Sequence, residues 1–215
     1  MGKARSRKDE IKVAGGLAIK AEFVIVMGVS GSGKTAVAKG LASIMNGVWL
    51  DADDYHPPQN VENMRNGIPL DDEMRWPWLA SLGAAAKEVA HGIESNHVSP
   101  KIFIACSALK RRYRDFLRDH MAPVTFVFLD GSREVIRSRL DRRVGHFMPP
   151  GLLDSQLADL EPLGPDETSV TVSIDAPIEA VVSTAAARLA AGEIDSPSTK
   201  THNTAGKPVT QGEDR

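Results

Sequence analysis

Gly28-Val29-Ser30-Gly31-Ser32-Gly33-Lys34-Thr35 decides the fold. It reads Gly, four residues, then Gly-Lys-Thr, the pattern of a loop whose backbone amides wrap a phosphate group. The apolar run Phe23-Val24-Ile25-Val26-Met27 comes directly before it, and Thr35 to Met45 follows with helical character. Strand, loop and helix therefore stand in the order that such a loop requires. Glycines let N–H groups curl around an anion without side-chain interference. The helix that begins near Gly33 points the positive end of its dipole at the same place. The pattern assigns Lys34 to the β- and γ-phosphates of a nucleotide and gives the Thr35 hydroxyl to Mg²⁺.

Outward from the loop, Val48-Trp49-Leu50 reads as a short buried strand ending in Asp51-Ala52-Asp53-Asp54-Tyr55-His56-Pro57-Pro58. Open parallel sheets bind their ligands at the C-terminal ends of the strands. Asp51, Asp53 and Asp54 lie there and repel one another, so a cation is expected among them. If the strand continues, Asp51 and Asp53 face the same side. A short helix is expected from Asn60 to Gly67. A second begins at Asp71 or Asp72, tolerates Pro77 in its first turn and runs to about Ala90. The tryptophans beside it read as packing anchors. Arg75 has two open readings, a fork for a substrate carboxylate or a partner for Asp71 or Asp72.

Lys101 to Cys106 and Val124 to Asp130 are further strands, and Val170 to Ile174 is a fifth with alternating pattern. Cys106 reads as a small buried residue. Ser107 lies at a loop-to-helix junction, where it caps the helix or touches ligand. Arg139, Arg142 and Arg143 lead into the Gly- and Pro-punctuated stretch Gly145-His146-Phe147-Met148-Pro149-Pro150, which suits a lid over phosphates at about 142–162. Asp175-Ala176-Pro177 opens the last helix.

Composition narrows the class. The chain has 215 residues, net charge −2 and a single cysteine, so an intrachain disulfide is excluded and a nucleic-acid surface is not indicated. No apolar run approaches the roughly 20 residues of a membrane span. A basic arm is expected over 1–21, one domain over 22–191, and a disordered Ser/Thr/Pro/Gly-rich tail over 192–215. Strands alternating with helices behind a phosphate loop give an α/β fold. It is a P-loop NTPase-like three-layer sandwich of the nucleoside-monophosphate-kinase kind, with a five-stranded parallel sheet, helices on both faces and a helical lid.

Several blocks together carry a more specific resemblance. They are Met27 to Thr35, Asp51-Ala52-Asp53-Asp54-Tyr55-His56-Pro57, Asn63-Met64 with Gly67-Ile68-Pro69-Leu70, and Arg75-Trp76-Pro77-Trp78-Leu79. To these are added Cys106-Ser107-Ala108-Leu109-Lys110 with Tyr113-Arg114-Asp115, Gly145-His146-Phe147, and Leu153 with Ser155-Gln156. In this order they resemble gluconokinase, a family that phosphorylates D-gluconate with ATP to give 6-phosphogluconate. Tyr55 and Met74 stand where the family pattern has an apolar residue such as Leu and an acid.

The resemblance implies that ATP lies on Gly28 to Thr35 with Asp175 and Pro177 at the adenine. Mg²⁺ is held by Thr35 and, through water, by Asp51. Asp53 orients or deprotonates the gluconate hydroxyl, and His56, Ser107 and His146 contact substrate. The gluconate carboxylate goes to Arg75, with Lys110 and Arg114 as rivals. Arg139 and Arg143 neutralise developing charge. It also implies a cytoplasmic homodimer with no membrane or nucleic-acid partner. Two alternatives stand beside it: another small-molecule P-loop kinase such as shikimate kinase, and a non-catalytic nucleotide-binding module.

Overall fold

The protein's structure, a computed structural model, describes residues 21–94, 101–142 and 150–195. Five strands, β1 (Glu22–Met27), β2 (Val48–Asp51), β3 (Lys101–Ala105), β4 (Val124–Asp130) and β5 (Ser169–Ser173), form one sheet in the order β2-β3-β1-β4-β5. Every pairing is parallel. The helices are α1 (Lys34–Ile44), α2 (Pro58–Arg65), α3 (Asp72–Glu94), α4 (Arg111–His120), α5 (Arg133–Asp141), α6 (Pro150–Asp159) and α7 (Ile178–Ala191).

The period-two alternation of strands divides the core into two layers. In β1, Val24 and Val26 join a cluster with Val37 and Leu41 of α1, Ile136 of α5, Leu153 of α6 and Val181 of α7. Phe23, Ile25 and Met27 point to the opposite face and pack with Leu79 and Leu82 of α3 and with Tyr113 and Leu117 of α4. Two covered faces make the three-layer sandwich expected from the sequence. No helix among the described residues is long and apolar enough to cross a membrane.

Three expectations change. β2 lies at the sheet edge, so Val48 and Leu50 are half-buried and Trp49 is 38% exposed beneath the ammonium of Lys39. α3 begins at Asp72 and includes Pro77 in its second turn. The proline offers no N–H to the carbonyl one turn back, a cost that tertiary packing of Trp78, Leu79 and Leu82 offsets. The strand does not continue past Asp51, because Ala52 to Tyr55 wind into a 3-10 turn. Beyond α7, which ends at Ala191, the described chain continues to Asp195. Asp195 donates its N–H to Ser169 O at 2.8 Å, while its carboxylate accepts from Thr171 N at 2.5 Å and Arg188 Nη2 at 2.6 Å, closing the free edge of β5. Residues 1–20 of the expected arm and the remainder of the tail lie outside the described residues, while Ala21 is buried against the sheet.

Candidate active site

The C-terminal ends of β1, β2 and β3 meet at the phosphate loop. Gly28 stands at φ +142°, and a Cβ there would fall 3.0 Å from Ser32 Oγ and 3.1 Å from Leu129 O, so both backbone and space require glycine. Gly33, at φ +100°, caps α1 in the left-handed conformation. Lys34 Nζ donates to Val29 O at 3.1 Å, folding the side chain back over the loop. Among the described residues, Ser32 Oγ is the buried side-chain polar atom without a hydrogen-bond partner. Such an orphan inside a loop built for anions is the kind of group that a ligand oxygen satisfies.

Thr35 and Asp51 are brought together across the gap between α1 and β2. Thr35 Oγ1 donates to Asp51 Oδ2 at 2.7 Å. The other carboxylate oxygen of Asp51 caps the 3-10 turn by accepting from Asp53 N at 3.1 Å. Asp53 therefore reaches the site through the turn rather than through strand alternation. Its side chain is exposed at the cleft, yet surrounding protein withholds enough water to raise its pKa. Asp51 and Asp54 add to that rise, and Lys34 opposes it.

The turn hangs from α3. Trp78 Nε1 donates to Ala52 O at 2.6 Å, and its ring stacks on His56 at 4.1 Å and 14°. Burial, and then the charge of Arg75, push the His56 imidazole down to about 4, so it is neutral at physiological pH. Arg75 donates from Nη1 to Tyr113 Oη at 2.6 Å. The two open readings of Arg75 separate here, because Arg112 holds Asp72 and the Asp71 carboxylate caps α3 by accepting from Met74 N at 2.9 Å. Met74 also accepts from Asn60 and Asn63, tying α2 to α3.

The rivals of Arg75 are committed elsewhere. Lys110 pairs with Asp159 of α6 at 3.1 Å. Arg114, expected from the sequence as a rival ligand for the carboxylate, is 0% exposed. Its guanidinium donates to Glu167 at 2.7 and 3.1 Å and to the carbonyls of Ala108, Leu109, Glu161 and Pro162, closing the loop between α6 and β5. Ser107 does not cap α4, whose N-cap is Lys110; its carbonyl accepts from Gly28 N at 3.3 Å and braces the phosphate loop. Cys106 is buried and its thiol is pushed up to about 12, as expected of an inert core residue.

On the nucleotide side, Arg139 donates to Ser32 O at 3.2 Å, to Ala176 O at 3.1 Å and to Ile174 O. It clasps the phosphate loop to the exposed segment Asp175-Ala176-Pro177, a role the sequence did not suggest. Gln156 is a further contact that sequence reasoning missed: its Oε1 accepts from Ser30 N at 2.7 Å, placing an α6 side chain on the phosphate cradle. Spacing alone offers no signal for it, since 126 residues separate the pair. Arg143 and His146 lie outside the described residues.

A phosphate loop backed by a hydroxyl–carboxylate pair, next to a carboxylate of raised pKa and a half-buried arginine, defines a P-loop kinase acting on a small acceptor. A family profile described as an AAA domain matches residues 23–163. The chain is 46% identical over 157 residues to the gluconokinase of Gluconobacter oxydans, covering 73% of this chain and 85% of that one. It is 45% identical over 154 residues to the thermosensitive gluconokinase of Escherichia coli, covering 72% and 79%. The crystal structure of a gluconokinase from Sinorhizobium meliloti superposes with a TM-score of 0.68 at 40% identity, covering 81% of this chain and 93% of that one. The chain belongs to the gluconokinase family.

Proposed function

We propose that the protein transfers the γ-phosphoryl group of ATP to the 6-hydroxyl of D-gluconate. The observation that carries this is the convergence, at the C-terminal ends of the strands, of the phosphate loop, the Asp51–Asp53 turn and the α3 cation Arg75. The amides of Gly28 to Thr35 and the Lys34 ammonium bind and orient the triphosphate. Asp53 accepts the hydroxyl proton as the gluconate oxygen bonds to phosphorus and the bond to the β–γ bridging oxygen breaks, releasing ADP. A raised pKa suits that task. His56, neutral, exchanges hydrogen bonds with the polyol, and Arg75 binds the carboxylate bidentately. Arg139 holds the edge of the nucleotide pocket together through its carbonyl contacts.

Thr35 and Asp51 are hard oxygen donors already 2.7 Å apart, which fits a Mg²⁺ ion that keeps most of its water and takes few protein ligands. When bound, that ion supplies charge neutralisation on the phosphates. The family resemblance extends the proposal to a cytoplasmic homodimer, whose oligomeric part sedimentation of the full chain tests.

A coupled assay for ADP release, run with gluconate, related sugar acids and shikimate, tests the whole reading. Gluconate-dependent turnover is expected. Turnover with shikimate instead, or none with any acid, assigns the site to another kinase or to a non-catalytic module.

A further inference from the structure

We propose that Tyr113 is a positioning residue for Arg75: its phenol holds the guanidinium in place through a neutral acceptor, so that the arginine keeps its full charge for the acceptor's carboxylate. The inference rests on the sugar-acid reading above.

The hydrogen-bond chain has only one possible direction. A guanidinium only donates and an ionised carboxylate only accepts, whereas a phenol does both. Arg75 Nη1 therefore donates to Tyr113 Oη at 2.6 Å, and Tyr113 Oη donates to Asp72 Oδ1 at 2.5 Å. The second carboxylate oxygen of Asp72 pairs with Arg112. The Asp72 carboxyl is held below the usual range, first by the Tyr113 hydrogen bond, so it is ionised and able to accept.

Asp72 and Arg75 are one helical turn apart on α3, the spacing at which an Asp and an Arg ordinarily pair directly. Direct pairing would cancel the charge of Arg75 and occupy its fork. Here the phenol stands between them, and Arg112 takes the carboxylate in its place. Among the described residues, Arg75 has no carboxylate within ion-pair distance. The Tyr113 ring is 4% exposed, wedged edge-on against Trp76 at 5.5 Å, with the guanidinium carbons of Arg75 and Arg112 at 5.2 and 5.4 Å from its centroid. A rigid, buried ring thus sets where the Arg75 fork points. Two helices contribute, so the direction is a property of how α3 packs on α4 rather than of a side-chain rotamer alone.

Tyr113→Phe keeps the ring and both cation–ring contacts while removing the hydroxyl. Kinetics of Tyr113→Phe, Arg75→Ala and the double variant, with thermal melts of each, test the proposal. Expected for Tyr113→Phe is a rise of about tenfold in gluconate KM with ATP KM unchanged, beside a small fall in melting temperature from the lost hydrogen bond to Asp72. In the Arg75→Ala background the same change should add nothing. An unchanged gluconate KM in Tyr113→Phe beside a raised one in Arg75→Ala overturns the positioning role alone. An equal effect of Tyr113→Phe in both backgrounds overturns it too, as does a lowered melt with parallel losses on both substrates. An unchanged gluconate KM in Arg75→Ala overturns the carboxylate assignment beneath it.

Discussion

Arg114→Met is expected to damage stability and leave substrate binding alone. Arg114 and Glu167 are both 0% exposed as side chains, and their closest N–O distance is 2.7 Å. Methionine fills most of the volume but leaves the Glu167 carboxylate inside, with Gly164 N at 2.6 Å and a weak contact to Arg111 as its remaining donors. It also leaves the carbonyls of Ala108, Leu109, Glu161 and Pro162 without this donor. Removing one partner of a buried pair costs about 3–5 kcal/mol. For a domain of this size that is a fall in Tm of roughly 6–20 °C, at about 2–4 °C per kcal/mol. Differential scanning calorimetry reads the fall, and gluconate KM measured well below the melt should stay within about twofold of wild type. Arg114→Met with Glu167→Leu should be less destabilised than the sum of the two single changes, because no charge is then stranded. An unchanged melt together with a raised gluconate KM would refute the structural assignment and return Arg114 to the substrate pocket.

Other perturbations separate the remaining roles. Asp53→Asn should lower kcat by at least about 100-fold while ATP affinity, read by calorimetric titration, changes little; normal turnover removes Asp53 from catalysis. The His56 imidazole titrates at about 4 in the folded protein and near 6.5 unfolded, so the unfolded chain takes up the proton first and stability present above pH 6.5 is lost as pH falls toward 4. His56→Gln should show a shallower decline of melting temperature across that window, and parallel profiles would contradict the burial of a neutral ring. Gln156→Ala removes the side chain that occupies Ser30 N–H, which a phosphate oxygen must otherwise displace. ATP dissociation constants should fall by about two- to tenfold, from a net hydrogen-bond worth of about 0.5–1.5 kcal/mol; a rise would mean that Gln156 supports the loaded cradle instead.

The parts of this molecule legible in its sequence are those fixed by local chemistry. Phe23 to Met27, Lys101 to Ala105 and Val124 to Asp130 are apolar runs bounded by turns, and all three are strands. The glycines and lysine of the phosphate loop announce it by their spacing, and Thr35 with Asp51 follows because a strand end must lie beside it. What escaped depends on contacts across the chain. Nothing in Val48-Trp49-Leu50 distinguishes an edge strand from a buried one, since strand order is set by the crossovers. The partner of Arg114 lies 53 residues away in a loop with three acids, Glu161, Asp166 and Glu167, among which spacing alone does not choose. One local signal was available there: Tyr113, Arg114 and Leu117 share the inward stripe of a helix, so Arg114 had to be buried with a partner or the helix could not dock. The arginine density of α4 hid that stripe, because Arg111, Arg112 and Arg118 remain partly or fully exposed.

The acceptor side also has an economy visible only in three dimensions. Asp72, Arg75 and Trp78 recur at intervals of three on α3, so they lie along one face of a single helix. Asp72 ends the hydrogen-bond chain through Tyr113, Arg75 carries the charge proposed for the carboxylate, and Trp78 suspends the turn that bears Asp53 and stacks on His56. Three residues of helix advance about 4.5 Å along the axis. The cation and the anchor of the proposed base are therefore held at a separation fixed by helix geometry. Leu79 and Leu82, both fully buried, lock that helix to the sheet. Sliding α3 would move both ends of the acceptor pocket together and leave their spacing unchanged. Changes that loosen α3, such as truncating Leu82, should therefore lower stability before they alter which sugar acid is accepted. Changes at Tyr113 or Trp78 act on one end alone and should alter acceptor kinetics directly.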